Sequence, residues 1–143
     1  MDFLARREHS FFELSQKLSR KFPEANLEQL LEVLSALREE NLQSDERFTE
    51  SYVRYRRSKG FGYLHIRADL LNRKVSESLL EVYLEANEGW CEILNTLIEK
   101  KLKAKPGQSL VYGSKEHRRL QSFLTSRGFT GEQIRKGIED WLV

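Results

Sequence analysis

A short basic segment with interleaved aromatic residues is the part of this sequence best suited to chemistry. It runs from Tyr52 to Leu70 and reads YVRYRRSKGFGYLHIRADL. Its cations are Arg54, Arg56, Arg57, Lys59 and Arg67, and its single acid is Asp69. Guanidinium groups bind phosphates and carboxylates through paired hydrogen bonds. The segment could therefore bind phosphate, bind an acidic protein, or simply form a solvated helix face, although solvated faces usually mix both signs.

Charge is segregated along the whole chain, which the net charge of +2 conceals. Residues 52–74 hold seven bases against one acid, and residues 75–99 hold six glutamates and no base. Residues 100–143 hold ten bases against four acids, whereas the first 51 residues hold seven bases against eleven acids. This distribution says more about partners than the average does.

Signals for an enzyme are weak. His9, His65 and His117 lie far apart and lack metal-ligand spacing, so solvated or capping roles are expected. The Gly60–Gly62 motif lacks the Lys-Ser/Thr of a phosphate-binding loop. The lone Cys91 excludes an intrachain disulfide, and its apolar neighbours predict a buried structural thiol. The sequence therefore predicts no catalytic residue, cofactor or metal.

The 143 residues suit one domain or a compact array of small units. With 39% hydrophobic residues there is enough apolar content for a core. Neither a long apolar run nor a signal peptide is evident, so a cytoplasmic location is expected.

The elements that would position the basic segment are all helical. The apolar residues recur at helical spacing, most clearly in the stripe Leu27, Leu30, Leu31, Leu34 and Leu37. Capping boxes are predicted at Ser10 and Thr130. The predicted helices span 2–8, 10–21, 24–40, 45–58, 63–73, 76–87, 89–103, 114–127 and 130–142. The segment Ala104–Gly113 is predicted to be a mobile loop.

Three sets of residues align at matching spacings. They are Leu14, Leu18, Lys21, Pro23, Leu27; Ile66, Leu70, Arg73, Val75, Leu79; and Leu120, Leu124, Arg127, Phe129, Ile134, with one extra residue before the last. In each set, one helix ends at a basic residue, a tight corner follows, and the next helix begins. Although any helical hairpin yields similar spacings, the pattern predicts three tandem three-helix repeats, at 1–43, 44–88 and 89–143, in an elongated, curved array.

In this setting the basic segment covers a helix end, a glycine corner and the start of the next helix. Arg54 and Arg57 are predicted to share an outward face. Phe48, Tyr52 and Tyr55 would form the apolar stripe, and Arg56, beside Tyr52, could pack internally. Gly60 is expected just beyond the helix end, where a left-handed conformation is common.

Three blocks of the sequence are distinctive in combination: LARREHSFFELSQKL (residues 4–18), SDERFTESYVRYRRSKGFGYLHIRADL (44–70) and LQSFLTSRGFTGEQI (120–134). Together they resemble the RecX family, bacterial regulators of the RecA recombinase. The match runs almost end to end. This sequence departs from the usual family pattern at four places: Tyr63 stands in place of proline, Phe22 and Lys74 in place of glycine, and Gly89-Trp90 in place of Asp-Trp. These differences fall at corners and bear on corner geometry more than on function.

The resemblance implies a non-enzymatic, all-helical protein of three three-helix repeats. RecX proteins bind along the groove of RecA–DNA filaments, suppress ATP hydrolysis, strand exchange and LexA cleavage, and promote filament disassembly, and some bind DNA directly. Two functions remain open for this sequence: a monomeric regulator of the RecA filament, and a helical module whose main activity is DNA binding. The predicted partner or DNA contacts are Arg54, Arg56, Arg57, Lys59, Arg67, Arg73, Lys74, Arg118, Arg119 and Arg127, and the predicted structural corners are Gly60, Gly62 and Gly128.

Overall fold

The computed structural model describes residues 6–85, 88–103 and 110–143. Its helices are α1 (Phe11–Lys21), α2 (Leu27–Glu39), α3 (Asp45–Ser58), α4 (Tyr63–Asn72), α5 (Glu77–Leu80, continuing as a π-helical turn over Glu81–Glu85), α6 (Trp90–Lys103), α7 (Lys115–Ser126) and α8 (Gly131–Glu139). In the described ranges, β-type pairing is limited to an isolated bridge between Leu110 and Leu142. The predicted all-α fold class is confirmed.

Two predicted features fall largely outside these ranges. The helix predicted over 2–8 begins within residues 1–5, and the loop predicted over Ala104–Gly113 includes residues 104–109. The other predicted helices agree with the structure to within a few residues.

Side-chain caps explain where several helices begin. The capping boxes predicted at Ser10 and Thr130 are confirmed, since each side chain accepts a hydrogen bond from the backbone N–H three residues later and a Glu or Gln reaches back. A third box joins Asn26 and Gln29. This box starts α2 at Leu27 rather than at residue 24, where the sequence predicts it to start.

The chain forms two compact units. Unit 1 comprises the chain up to Arg54 and a second stretch that begins at Asp69 and includes α5. Unit 2 comprises Tyr55–Ala68 and the described chain after α5. These units do not follow the predicted repeat boundaries of 1–43, 44–88 and 89–143. The threefold repeat and the elongated, curved array stay predictions.

In unit 1, α1 and α2 share a small core of Leu14, Leu18 and Leu34, against which Phe11, Leu30 and Leu37 pack. The predicted leucine stripe of α2 is wrong at two positions. Leu27 is 72% exposed and Leu31 is 44% exposed. The buried line of α2 instead follows Leu30, Leu34 and Leu37, because these positions face α1. Tyr55, predicted to join the stripe of α3, is also exposed.

In unit 2, helices α6, α7 and α8 enclose a larger core. Its buried members are Leu94, Ile98, Leu110, Leu120, Leu124, Phe129, Ile134 and Ile138. Gly137 of α8 lies so close to α6 that an added Cβ would come within 2.8 Å of Leu94. The α6–α8 contact therefore depends on a residue without a side chain at that position.

Two predictions about polar and reactive residues need correction. Cys91 is exposed at the start of α6 rather than buried, because the inward positions of that helix are taken by Leu94 and Ile98. His9 and His117 are buried, so the solvated role is wrong for both. His117 Nδ1 does accept a hydrogen bond from the Gly113 N–H at the start of α7, in line with the capping role that was the other expectation.

Candidate functional site

The corner between α3 and α4 sets the geometry of the basic segment. Gly60 has a φ of 86°, in the left-handed region that favours glycine. The N–H of Gly60 donates to the carbonyl of Arg57, and the N–H of Phe61 donates to that of Arg56. This pair of bonds is a Schellman motif, which ends the helix and turns the chain. It leaves the Arg56 guanidinium 4.9 Å from the centre of the Phe61 ring.

A second corner, after α7, lies against the first. The N–H of Gly62 donates to the carbonyl of Arg127 at 2.7 Å, and the N–H of Leu64 donates to that of Gly128 at 3.0 Å. A Cβ on Gly62 would come within 2.7 Å of the Gly128 oxygen, and a Cβ on Gly128 within 2.4 Å of the His65 nitrogen. Glycine at both positions lets the two backbones touch, which brings Arg127 beside Phe61.

The result is a row of alternating cations and aromatic rings in unit 2. The Arg127 guanidinium lies 4.6 Å from the Phe61 ring and 5.2 Å from the Phe123 ring, and the Lys101 ammonium lies 4.2 Å from the Phe123 ring. We call Arg56, Phe61, Arg127, Phe123 and Lys101 the basic-aromatic ladder. Such cation–π contacts contribute about 0.5–1 kcal/mol each at exposed sites. They favour the observed positions of these side chains.

Further positive charge borders the ladder. Lys59 is exposed, and its carbonyl accepts a hydrogen bond of 3.2 Å from the Arg127 guanidinium. A cleft of about 230 Å³ in the same unit has three cations and no acid in its lining. It is lined by Arg57, Ser58, Lys59, Gly60, Ile93, Thr96, Leu97 and Lys100. Among the described residues, no carboxylate pairs with Lys59, Lys101 or Arg127. The surface can therefore attract a polyanion.

Arg57 does not lie on the outward face where the sequence places it. Its guanidinium stacks 4.3 Å from the Trp90 ring and donates to the backbone carbonyl of Glu88. Burial lowers the pKa of Arg57 from its ordinary value, while the charge of Glu92 acts in the opposite direction. Arg57 thus ties the end of α3 to the start of α6. Arg54, by contrast, is exposed and lies 3.5 Å from Glu50.

The remaining predicted contacts are scattered. In unit 1, Arg73 lies 3.3 Å from the Glu13 carboxylate and 4.8 Å from the Tyr52 ring, so its guanidinium serves the fold. Lys74, also in unit 1, is exposed. In unit 2, Arg118 donates to the Gly113 carbonyl, Arg119 is exposed on α7, and Arg67 is half-buried and engaged within the protein.

Of the ten predicted contacts, the structure brings together Arg56, Lys59 and Arg127. The sequence prediction omits the ladder members Phe61, Phe123 and Lys101. Phe123 precedes Arg127 by four residues on one helix face, a spacing that could have indicated the pair. Lys101 comes from a different helix, α6, and only the tertiary fold places it beside Phe123.

The described residues contain no cluster of His, Cys, Asp or Glu that could hold a metal ion. Within the same ranges, no helix is long and apolar enough to span a bilayer.

The fold is that of known helical RecX structures. The crystal structure of RecX from Lactobacillus salivarius matches with a TM-score of 0.78 at 21% identity, over 98% of this chain and 90% of that one. Another crystal structure of regulatory protein RecX matches with a TM-score of 0.79 at 23% identity, over 97% of this chain and 68% of that one.

Sequence comparisons define the family. The pattern of the second three-helix domain of RecX matches residues 44–84. Regulatory protein RecX of Mannheimia succiniciproducens is 33% identical over 147 residues, covering 98% of this chain and 92% of the relative. That of Chromohalobacter salexigens is 38% identical over 139 residues, covering 94% and 85%. The chain belongs to the RecX family of regulatory proteins, as the three sequence blocks predict.

Proposed function

We propose that this protein is a negative regulator of RecA. As a monomer in the cytoplasm it binds the RecA–DNA filament and inhibits ATP hydrolysis, strand exchange and the coprotease activity toward LexA, without catalysing a reaction itself. This would modulate recombinational repair and the SOS response. Membership of the RecX family supports the role, and the basic-aromatic ladder is the observation that supplies a surface for a nucleoprotein filament.

The ladder suits phosphate rather than base recognition. The Phe61 ring already contacts Arg56, Arg127 and His65, so little of it remains to stack on a nucleobase. The Arg127 guanidinium is held by two rings and one hydrogen bond, which reduces the conformational entropy lost on binding. Contacts to phosphate carry no sequence information. Such a surface fits a filament that forms on DNA of any sequence.

The test is RecA ATP hydrolysis on single-stranded DNA, with this protein added below the RecA concentration. The wild-type protein should slow hydrolysis. Lys59→Gln/Lys101→Gln, which removes two exposed charges at the ladder, should need more than tenfold higher concentration for the same effect. No slowing by the wild type, even at equal concentration, would refute the proposed function.

A matched control removes two charges from the same unit away from the ladder. Lys103 and Lys136 are exposed and pair with Glu99 and Glu132 on their own helices. Exposed pairs of this kind contribute about 0.2–1 kcal/mol to stability. Lys103→Gln/Lys136→Gln should inhibit like the wild type. Equal weakening of both double variants would mean that net charge, rather than the ladder, decides binding.

The second candidate function is direct DNA binding, which the same ladder favours. A DNA-coating protein must be nearly stoichiometric with its DNA sites, and its affinity falls steeply with salt. A filament regulator acts at concentrations far below those needed to coat the DNA. Titration of inhibition against DNA concentration at fixed RecA therefore separates the two functions.

A further inference from the structure

Helix α2 carries an apolar strip that unit 1 does not cover. Leu27 and Leu31 lie one turn apart and are 72% and 44% exposed, while Leu34 is fully buried on the adjacent face. The apolar face of α2 is thus wider than the surface that α1 covers. Exposed leucines at i and i+4 are the usual anchors of a helix that packs on another helix.

The border of this leucine strip is acidic. Glu28 and Glu32 each follow a strip leucine by one residue, about 100° around the helix, so they line one edge of the strip. Both are exposed. Residues 24–40 contain five glutamates and one base, Arg38, whose guanidinium lies 4.0 Å from the Phe11 ring. The strip therefore presents apolar surface beside negative charge.

Charge decides among the possible occupants. A nucleic acid would be repelled by the glutamates. A second copy of this chain packed through the same strip would bring a second acidic border into the interface and no base to complement the first. A helix with leucine-type residues on one face and Lys or Arg beside them matches both the strip and its border.

We propose that the Leu27–Leu31 strip and its Glu28–Glu32 border form a docking surface for a basic amphipathic helix of a partner protein. This inference rests on the proposed function, under which the partner is the RecA protomer. Helix α2 then contacts the protein component of the filament, and the ladder contacts phosphate. Partner choice then depends on two chemically different surfaces of one chain.

The direct test measures binding of a fluorescent synthetic helix to the full-length protein by anisotropy. The probe has leucines at i, i+3 and i+4 spacing and lysines elsewhere; a second probe has glutamates in place of the lysines. The lysine probe should bind and the glutamate probe should not. Leu27→Gln/Leu31→Gln should weaken lysine-probe binding more than tenfold, and Glu28→Lys/Glu32→Lys should weaken it and flatten its salt dependence.

The matched control is Val33→Gln/Leu42→Gln, which alters residues of similar exposure (42% and 50%) in the same unit. It should bind the lysine probe like the wild type, and both double variants should keep the wild-type unfolding midpoint because all four side chains are exposed. Equal binding by the strip and control variants would overturn the proposal. Concentration-dependent dimerisation that Leu27→Gln/Leu31→Gln abolishes would also overturn it, in favour of a second copy.

A further experiment, on RecA filaments, separates this inference from the proposed function. If the wild type slows RecA ATP hydrolysis, Leu27→Gln/Leu31→Gln should need at least tenfold more protein while its affinity for free DNA stays unchanged. Undiminished inhibition by that variant would refute the strip's role on RecA and leave the proposed function intact. Failure of the wild type itself would refute the proposed function, and the peptide measurement would then decide the docking surface alone.

Discussion

His9 is a buried histidine that uses both ring nitrogens. Nδ1 lies 3.1 Å from the Arg7 carbonyl, to which it donates as N–H, and Nε2 is then left to accept from the Lys17 ammonium at 2.8 Å. Burial lowers the pKa of His9 below its ordinary 6.5, and the charges of Arg7 and Lys17 lower it further, while the hydrogen bond to the Arg7 carbonyl and the charge of Glu13 act in the opposite direction. A second proton on His9 would face the Lys17 ammonium directly.

This arrangement predicts a pH dependence of stability. Because the folded-state pKa is lower than the unfolded one, the unfolded chain binds more protons as the pH falls below about 6.5. The free energy of unfolding should be highest above that pH and should decrease as the pH falls toward the folded-state pKa of His9. His9→Gln should flatten this decline. Urea unfolding midpoints at about pH 7.5 and 5.5 measure this pH dependence. If His9→Gln lost as much stability between the two pH values as the wild type, His9 would not be the group responsible.

Glu13 titrates in a separate, more acidic window. Burial tends to raise the pKa of its carboxyl, but hydrogen bonds from Arg7 and Ser10 and the charge of Arg73 outweigh burial and lower it from 4.5. Its stabilising contribution is therefore present above that pH and is lost as the pH falls through the lower folded-state value. Glu13→Gln should abolish the change of stability in this acidic window, and because the Glu13 charge opposes the lowering of the His9 pKa, it should also extend the His9 decline to lower pH.

Arg127 is the ladder residue whose shape matters as well as its charge. Arg127→Lys keeps the positive charge but loses a planar group that contacts two rings and the Lys59 carbonyl. We expect filament binding to weaken several-fold in this variant, whereas Lys101→Arg should bind at least as well as the wild type. Fluorescence anisotropy on labelled filaments measures both, and equal affinities would show that only charge counts.

Among the elements, the helix corners repeat one geometry with different residues. After α3, α4 and α7, Schellman hydrogen bonds place Gly60, Lys74 and Gly128 in the left-handed region. Lys74 replaces the glycine that is usual in the family. Its φ of 58° nevertheless keeps the left-handed conformation, and the corner is retained. Similarly, α4 begins at Tyr63, where the family usually has proline. The corner after α1 differs, because Phe22 has a φ of −124°.

Replacing Lys74 with glycine should therefore stabilise the protein. A side chain in the left-handed region costs about 1–2 kcal/mol, and glycine's greater freedom in the unfolded chain offsets about 0.5–1 kcal/mol of the gain. The Lys74 ammonium lies 5.8 Å from the Phe12 ring, near the outer limit of a cation–π contact. We expect Lys74→Gly to raise the free energy of unfolding by about 0.5–1 kcal/mol, measured by urea denaturation.

Gly128→Ala is the opposing control at the equivalent corner. Its φ is 98°, and an added Cβ would meet backbone of His65, which cannot move as a side chain can. This variant should lose more than about 2 kcal/mol. Destabilisation by Lys74→Gly would mean that the lysine makes contacts worth more than the strain it introduces.

Local signals allow most helices to be predicted from the sequence, because caps and helical periodicity act within a few residues. Orientation of a helix face is harder to predict, since it depends on which neighbours pack against it. Leu27 and Leu31 satisfy the apolar period yet are exposed, and Arg57 lies in a basic run yet packs on Trp90. The ladder was predictable only in part, because Lys101 meets Phe123 through tertiary structure alone.

Over the whole molecule, the segregated charge of the sequence has a structural counterpart in each unit. Unit 1 exposes the acidic border of α2, and unit 2 exposes the basic-aromatic ladder. A polyanion would be attracted by the second surface and repelled by the first. Under the proposed function, the basic surface of this near-neutral protein would contact DNA phosphate, and the acidic surface would contact the protein component of the filament.

The predicted threefold repeat can be tested through its equivalent leucines. Leu18, Leu70 and Leu124 each precede a corner and are almost completely buried. Their carbonyls accept hydrogen bonds from Phe22, Val75 and Phe129, respectively. Each Leu→Ala substitution should lower the free energy of unfolding by about 2–5 kcal/mol. Urea denaturation of the three variants measures the cost.

Leu27→Ala supplies the comparison, because the first repeat places Leu27 in register with Ile134, yet Leu27 is exposed and Ile134 is buried. Its cost should stay below about 0.5 kcal/mol. If Leu18→Ala behaved like Leu27→Ala while the other two variants lost several kcal/mol, the first repeat would not be energetically equivalent to the others. Comparable losses at all three leucines would support a repeat in which each helix corner has its own buried anchor.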